Sequence, residues 1–438
     1  MNQSPTQSII EQTPGQDLYH NTLREVAHDI EPYLESIGAD ADQWDRYQTM
    51  LVPNRVINFE VNWENDAGET ETNQGYRVQH SSARGPYKGG LRFDPSVNVD
   101  TLKFLALEQT FKNALTGLPL GSGKGGADFN PRGRSDAEIE RFCQAFMQGL
   151  YEHIGPDKDV PAGDIGVGGR EIGYMLAEYQ RLSGEMVVGA LTGKPVDQHG
   201  SYGRTEATGY GVVYLVQNIL EAQNDSMSGK RVVISGSGNV ATYAALKVIE
   251  LGGRVVSLSD RGGYVVNMDG FSQENIQKII EHKMRGRSLR ELELERAEYK
   301  EDRVWILVAD VYIPCATQNE LGYDDAYDIV ESGADMVVEG ANMPCTPEAV
   351  EILQKSDVVF VPAKAANAGG VAVSGLEMEQ NRLGEQWTFD TVDGRLQQIM
   401  KQIFETITQY GTKPDRSVDY LRGANVGGYV LVDQAMKN

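Results

Sequence analysis

Residues 231–241 read Arg-Val-Val-Ile-Ser-Gly-Ser-Gly-Asn-Val-Ala, and no other stretch of the chain constrains its fold so tightly. Arg231–Ser235 is a short apolar run of the kind that forms a strand buried on both faces. Gly236-Ser237-Gly238-Asn239-Val240-Ala241 then fits G-x-G-x-x-A and opens a segment with helical spacing. In that motif the first glycine makes a tight turn. The second lets backbone approach a pyrophosphate, which rests on the helix N-terminus. Alone the motif is weak; here a strand precedes it, a helix follows it, and an acid, Asp260, ends the next strand. Residues 236–240 are therefore expected to hold a dinucleotide. Asp260 would normally accept the ribose 2′-hydroxyl of NAD, but Arg261 follows at once, and Lys283, Arg285 and Arg287 lie downstream. An Arg near this position holds a 2′-phosphate, which favours NADP over NAD. The stretch 283–287 fits an exposed helix end equally well.

A strand–turn–helix of this kind needs parallel neighbours. Short apolar runs recur at 254–258, 304–308, 336–338 and 358–361 with helical stretches between them, which predicts βαβ units. The densely charged residues 288–303 read as a solvated helix face. Upstream the pattern differs. Residues 17–36 carry helical spacing and stop near Gly38; 56–63 and 76–80 alternate around the turn Asp66-Ala67-Gly68, which predicts a β-hairpin. Helices are expected at 100–115 and from Ser135, which forms a capping-box pattern with Glu138. The first 15 residues look loose, and a helical pattern returns at about 393–410. The predicted class is α/β: a mixed α/β domain followed by a Rossmann-type doubly wound domain.

The 438 residues suffice for two or three domains. With 63 acidic residues against 40 basic ones the net charge is −23, a poor match for nucleic acid. No run of about 18 apolar residues exists, so no membrane span is expected. The polar first 15 residues show no secretory signal, which makes the cytoplasm the default. Cys143, Cys315 and Cys345 form no C-x-x-C, and the histidines show no metal-ligand spacing, so neither a disulfide framework nor a metal site is expected.

Three lysines stand close in sequence: Lys88 before Gly89-Gly90, Lys112, and Lys124 within Gly121-Ser-Gly-Lys-Gly-Gly126. The last is not a P-loop, because Leu118 and Gly125 replace required positions. Glycines on both sides suggest room for a small substrate. A lysine beside other cations and partly desolvated has a lowered pKa, which makes it a base near neutral pH. Gln109 and Lys112 share a helix face and suit a carboxylate. Any one of these lysines alone also fits an ordinary surface position. Asp164, in Val160-Pro-Ala-Gly-Asp-Ile-Gly-Val-Gly-Gly-Arg170, sits on a constrained loop. It fits either proton exchange with a substrate amine or a turn Asp bonding its own backbone.

Taken together, these segments resemble the hexameric glutamate dehydrogenases, most closely the small-subunit, NADP-using branch. The resemblance is carried by Lys88–Phe93, Glu108–Leu115, Gly123–Gly126, Pro161–Glu171, Glu206–Gly211, Gly236–Ala241, Pro314–Glu320 and Ala365–Gly375, in family order. It implies that Lys124 is the catalytic lysine and Asp164 its proton-transfer partner. It implies further that Gln109 and Lys112 bind the α-carboxylate beside the Gly163 backbone, while Lys88 and Ser374 bind the distal carboxylate. Thr208 and Asn239 would contact the cofactor, with Asn342 and Asn367 along the nicotinamide side. The implied substrates are L-glutamate, 2-oxoglutarate and ammonium, and the implied assembly is a homohexamer. The implied domains are 1–200 for substrate and assembly and 201–372 for NADP, with 373–438 folding back onto the first and the active site in the cleft between them. Two departures stand out: Ala363 replaces an expected Gly, and His199 replaces the first Gly of the loop ending at Arg204. The alternatives are a sister dehydrogenase of leucine, phenylalanine or valine, which Lys88 with Ser374 argues against, and a non-catalytic cofactor-binding subunit, which Lys124 with Asp164 argues against.

Overall fold

The alternation at 56–63 becomes a ten-residue strand, β1 (Arg55–Glu64), whose burial follows the period of two. It pairs antiparallel with β2 (Thr70–Ser81) around the expected turn. The computed structural model describes residues 4–437 and divides into two units. The first opens with α1 (Pro5–Gln12), α2 (Asp17–Ser36) and α3 (Ala41–Leu51). After the hairpin come β3 (Tyr87–Phe93), α4 (Val99–Leu115), β4 (Ser122–Ala127), α5 (Asp136–Leu150), β5 (Asp159–Gly163) and α6 (Gly169–Ser183). The capping box at Ser135 and Glu138 starts α5 as expected. Of the first 15 residues, expected to be loose, 1–3 lie outside the described residues; from Ser4 onward the segment is ordered into structure, with Pro5 opening α1 and the hydroxyls of Ser4 and Thr6 donating to Glu31 on α2.

The first unit's sheet has the order β1-β2-β4-β3-β5, with β3 parallel to both β4 and β5. That order puts β3 between the strand carrying Lys124 and the strand leading into Asp164. On one side α4 packs against β2 and β4. Phe93, Phe129, Phe142 and Phe146 join the α5 and α6 side chains in an aromatic core, with the Phe129 and Phe142 rings stacked 3.8 Å apart.

The second unit contains α7 (Ala207–Ala222), β6 (Arg231–Ile234), α8 (Asn239–Glu250), β7 (Arg254–Asp260), β8 (Gly263–Val266), α9 (Gln273–Met284) and β9 (Glu298–Lys300). It continues with β10 (Val311–Ile313), α10 (Tyr323–Glu331), β11 (Met336–Val338), α11 (Pro347–Gln354), β12 (Val359–Val361) and α12 (Ala363–Ala366). Its sheet runs β12-β11-β10-β6-β7-β8-β9; β12 through β7 are parallel, and β8 and β9 are antiparallel additions. This is the expected doubly wound fold.

Two segments differ from the sequence reading. Residues 304–306 form a helical turn and not a strand, and the strand begins at Val311, where it pairs with Val232. The turn buries Val304 and Trp305 and leaves Ile306 and Val308 exposed; the Asp310 carboxylate holds the Arg231 backbone and guanidinium just ahead of β10. The charged stretch 288–303 is exposed but not helical. It makes a short turn at 289–291 and then β9, on the sheet edge, where alternate residues face solvent.

Three helices complete the chain: α13 (Gly369–Leu383), α14 (Phe389–Gly411) and α15 (Tyr420–Met436). The segment 373–438, expected to return whole to the first unit, divides. Residues 371–392 and 425–438 belong to the first unit, and 393–424 belong to the second.

Candidate active site

In the first unit, Lys124 lies mid-strand on β4 with 4% of its surface exposed. Its ammonium donates to Asp164 Oδ1 at 2.9 Å, and Arg92 Nε on β3 donates to Asp164 Oδ2 at 2.7 Å. Burial lowers the Lys124 pKa, and Arg92 and Arg77 press the same way against the Asp164 charge. Burial alone would raise the Asp164 carboxyl, but Lys124 and Arg92 outweigh it and hold it well below the usual carboxylate range. Asp164 is therefore a cation-held carboxylate and more than a turn residue bonding its own backbone.

The glycines around these groups serve the sheet. A Cβ at Gly89 would lie 1.7 Å from Gly123 O, and one at Gly126 2.0 Å from Arg92 O. The positions that side chains on these glycines would take are thus already filled by neighbouring strands, so the glycines are needed for the close packing of β3 and β4. Gly90 differs: its Cβ would sit 2.9 Å from Asp164 Cβ and 3.3 Å from Lys124 Nζ, so the absent side chain is what lets these two groups meet. Beneath them Arg77 and Asp159, both fully buried, pair through two hydrogen bonds across β2 and β5, and Gln79 Nε2 donates to the same carboxylate at 3.0 Å.

Lys88, 1% exposed on β3, donates to Thr192 Oγ1 at 2.8 Å. Burial drives its pKa well down, and the nearby Arg204 charge adds to that. Ser374 on α13 accepts from Arg204 Nε at 2.9 Å. The nearest acid, Glu377, is held by Lys194 Nζ at 2.6 Å and by the Gly193 N–H at 2.9 Å. A buried lysine, a half-buried arginine and two hydroxyls thus share a region whose own carboxylate is already paired. On α4, Gln109 donates to Asn113, and Asn113 Nδ2 donates to Lys88 O at 3.1 Å and Gly121 O at 2.6 Å. Lys112 stands one turn along, partly exposed. Gly163 ends β5, next to Asp164. Sequence reasoning did not single out Arg92, Thr192 or Glu377 as site residues; Arg92 lay inside the segment 88–93 and was passed over beside its lysine.

In the second unit, Gly236 takes a left-handed φ of +79° at the end of β6. Gly238 caps α8 with no side chain, so the first N–H groups of α8 point past an exposed glycine with open space around it. Ser237 is buried, Asn239 exposed and Val240 intermediate. Gly209 lets α7 press on α8, since its Cβ would lie 2.5 Å from Ala244 N; Thr208 precedes it on the first turn of α7. Asn367 donates to Asn342 Oδ1 at 3.0 Å and to Gly340 O and Ala341 O, while its own Oδ1 is buried without a partner. An open helix N-terminus and an orphaned amide oxygen both fit a dinucleotide.

Asp260 is engaged by its own chain. It accepts from Leu289 N (2.7 Å), Ser288 Oγ (3.1 Å) and Gly262 N (3.1 Å), with Lys283 Nζ at 3.5 Å. Burial pushes its carboxyl up, yet these donors hold it below its ordinary value. Arg261 is exposed on the rim of a cavity of about 350 Å³ that Asp260 also lines, and Arg285 and Arg287 are exposed. Of the three downstream cations only Lys283 meets Asp260.

A Rossmann-type unit in one chain with a lysine–carboxylate centre is the arrangement of a dinucleotide-dependent oxidoreductase. Residues 200–438 match the Glutamate/Leucine/Phenylalanine/Valine dehydrogenase family, and residues 53–181 match the Glu/Leu/Phe/Val dehydrogenase, dimerisation domain. The chain belongs to this family. It is 49% identical over 426 residues to the glutamate dehydrogenase of Bacteroides thetaiotaomicron, covering 97% of this chain and 96% of that protein. It is 47% identical over 426 residues to the NADP-specific glutamate dehydrogenase of Escherichia coli, covering 97% and 95%. The crystal structure of Plasmodium falciparum glutamate dehydrogenase superposes with a TM-score of 0.95 at 43% identity, over 98% of this chain and 92% of that one. Among the described residues no helix is long and apolar enough to cross a membrane.

Proposed function

We infer that this chain is a glutamate dehydrogenase that interconverts L-glutamate with 2-oxoglutarate and ammonium and uses NADP in preference to NAD. The observation that carries the substrate is the set of buried Lys88, Thr192 and Ser374 with half-buried Arg204, in a region whose own carboxylate, Glu377, is held by Lys194. A buried lysine beside a second cation calls for an anion, and the side-chain carboxylate of glutamate is one. A leucine, phenylalanine or valine substrate would leave them without it. Gln109, Lys112 and the Gly163 backbone take the α-carboxylate in this reading.

Nicotinamide, when held along Asn342 and Asn367, would supply the hydride acceptor for the substrate α-carbon in deamination. The chain's residues do the rest. Lys124, with its pKa lowered, takes a proton from water as the water adds to the substrate iminium carbon. Asp164, ionised and hydrogen-bonded to Lys124, carries protons to and from the substrate nitrogen. Arg92 fixes the carboxylate and is a positioning residue.

Residues Gly236–Val240 would hold the pyrophosphate, Thr208 and Asn239 contact the cofactor, and Asn342 and Asn367 lie along the nicotinamide. For the 2′-position, Asp260 is already engaged by Leu289, Ser288, Gly262 and Lys283, while Arg261 is exposed beside it. That supports a phosphate there over a hydroxyl. The E. coli relative is NADP-specific, although a relative from Bacteroides fragilis at 46% identity is NAD-specific. We place the enzyme in the cytoplasm as a homohexamer, which native mass measurement tests directly. The decisive assay is steady-state reductive amination by the pure protein with 2-oxoglutarate, ammonium and either NADPH or NADH. Turnover with higher kcat/KM for NADPH is expected. No turnover with either cofactor overturns the activity, and preference for NADH overturns the cofactor assignment alone.

A further inference from the structure

Glu320 has no part in the chemistry just described, yet its carboxyl sits under the dinucleotide turn. Oε1 accepts from the backbone N–H of Ala316 at 2.8 Å and of Thr317 at 3.3 Å, folding residues 315–320 into a closed loop after β10. Ser235 Oγ accepts from Cys315 N at 2.8 Å, which ties the start of this loop to the end of β6. Ser235 is joined directly to Gly236. A side chain on Gly236 would begin 3.1 Å from Ala316 Cα and from Cys315 O, so the loop and the turn are in contact. On its far side the loop is fastened to the segment beside Asn342, by Asn319 N to Met343 O at 2.9 Å and Leu321 N to Pro344 O at 3.0 Å. Glu320 therefore braces two walls of the proposed cofactor site from behind.

We propose that Glu320 is a proton-exchanging positioning residue of the dinucleotide site, taking up a proton when an anionic dinucleotide settles on the Gly236 turn and the N-terminus of α8. The proposal rests on the dinucleotide reading given above. The groups facing the carboxyl are few. β6 offers Ser235; the loop itself offers Cys315. α10 offers Asp325, a second negative charge paired with Arg303 at 2.6 Å. The segment after β11 offers Cys345, whose N–H donates to Glu339. Burial raises both thiols well above their ordinary values, so they stay neutral. Burial also pushes the Glu320 carboxyl up to about 7, against the pull of its hydrogen bonds. Near neutral pH the carboxyl is thus divided between its two forms. The ionised form repels a pyrophosphate on the far side of the turn, and the protonated form does not. By linkage, an anion bound at the turn raises proton affinity at Glu320, and protonation raises affinity for the anion by the same factor.

The sign is definite. Cofactor binding weakens as pH rises through 7, by close to tenfold between about pH 6 and pH 9 if the bound anion shifts the carboxyl by about one unit. The test measures NADPH binding by calorimetry to wild type and to Glu320→Gln, in buffers of different ionisation heat. Gln keeps an acceptor for Ala316 and mimics the protonated acid. It is expected to match wild type at pH 6 and to bind close to tenfold tighter at pH 9. Wild type should take up about half a proton more per site than the variant at pH 7.5. Protons exchanged by the cofactor's own phosphate are common to both proteins and cancel. A brace with no titrating role would loosen binding at every pH when altered. Equal proton uptake in the two proteins, or weaker binding by the variant throughout, overturns the inference. Should the variant not fold, infrared difference spectra of the wild type decide: NADPH added at pH 7.5 must raise the protonated-carboxyl band, and its absence refutes the proposal. Failure of wild type to bind NADPH at any pH overturns the dinucleotide reading itself.

Discussion

At the scale of single residues, the division of labour between Lys124 and its neighbours gives a sharp expectation. Lys124→Ala removes the proposed base but nothing in the second unit. Turnover should fall at least about a hundredfold while the NADPH dissociation constant stays put; a variant retaining a tenth of the wild-type kcat would remove Lys124 from the mechanism. Lys88 and Ser374 carry a different expectation. Lys88→Leu with Ser374→Val takes away a buried charge and a hydroxyl and leaves apolar surface. Glutamate then loses the partner of its carboxylate, whereas norleucine gains a fitting wall. The ratio of kcat/KM for glutamate over norleucine should drop at least about a hundredfold, equivalent to ~3 kcal/mol. An unchanged ratio means that these residues do not read the substrate side chain. Sequence made Lys88, Lys124 and Asp164 legible because each stands among glycines in a segment resembling the family. It did not bring out Thr192 or Glu377, because nothing local marks them. Their partners, Lys88 and Lys194, reach them only through the folding of the first unit.

At the scale of elements, β3 is the strand whose composition matters most. Gly90→Ala places a methyl between Lys124 and Asp164. Overpacking of that size costs about 1–3 kcal/mol, which leaves the fold standing. The displaced pair should lower kcat at least about tenfold. Gly89→Ala meets a carbonyl oxygen at 1.7 Å and should yield no soluble folded protein. Thermal melts with kcat measurements separate the two, and full activity in Gly90→Ala would show that the pair tolerates movement. Long periodic helices such as α2 and α4, and the apolar strands β6 and β7, were readable from spacing alone. The run at 304–308 misled because a helical turn can bury Val304 and Trp305 while leaving Ile306 and Val308 exposed, and only the pairing of Val311 with Val232 decides where the strand starts. The charged stretch 288–303 misled because charge reports exposure, which a sheet edge provides as readily as a helix.

At the scale of the whole molecule, 63 acidic against 40 basic side chains leave an excess that opposes compaction. Screening at 0.5 M NaCl relative to 0.01 M should raise Tm by at least about 2 °C, since the Debye length falls several-fold. A flat or falling Tm would mean that paired charges, which salt weakens, dominate instead. The connectivity has a consequence for how the molecule is made. The first unit is gathered from 1–204, 371–392 and 425–438, while every part of the second lies before residue 425. On the ribosome the nucleotide-binding half has all its sequence first, and the lysine-bearing half, begun earlier, waits for the last stretch of α15. That stretch supplies Asn425, whose amide donates to Asp29 at 2.7 Å, and the Leu431 carbonyl that accepts from Arg84 at 2.9 Å. A chain cut just before Asn425 would carry every proposed catalytic and substrate-binding group and still lack the piece that closes the half in which they sit, so this late segment decides between an enzyme and a client for chaperones.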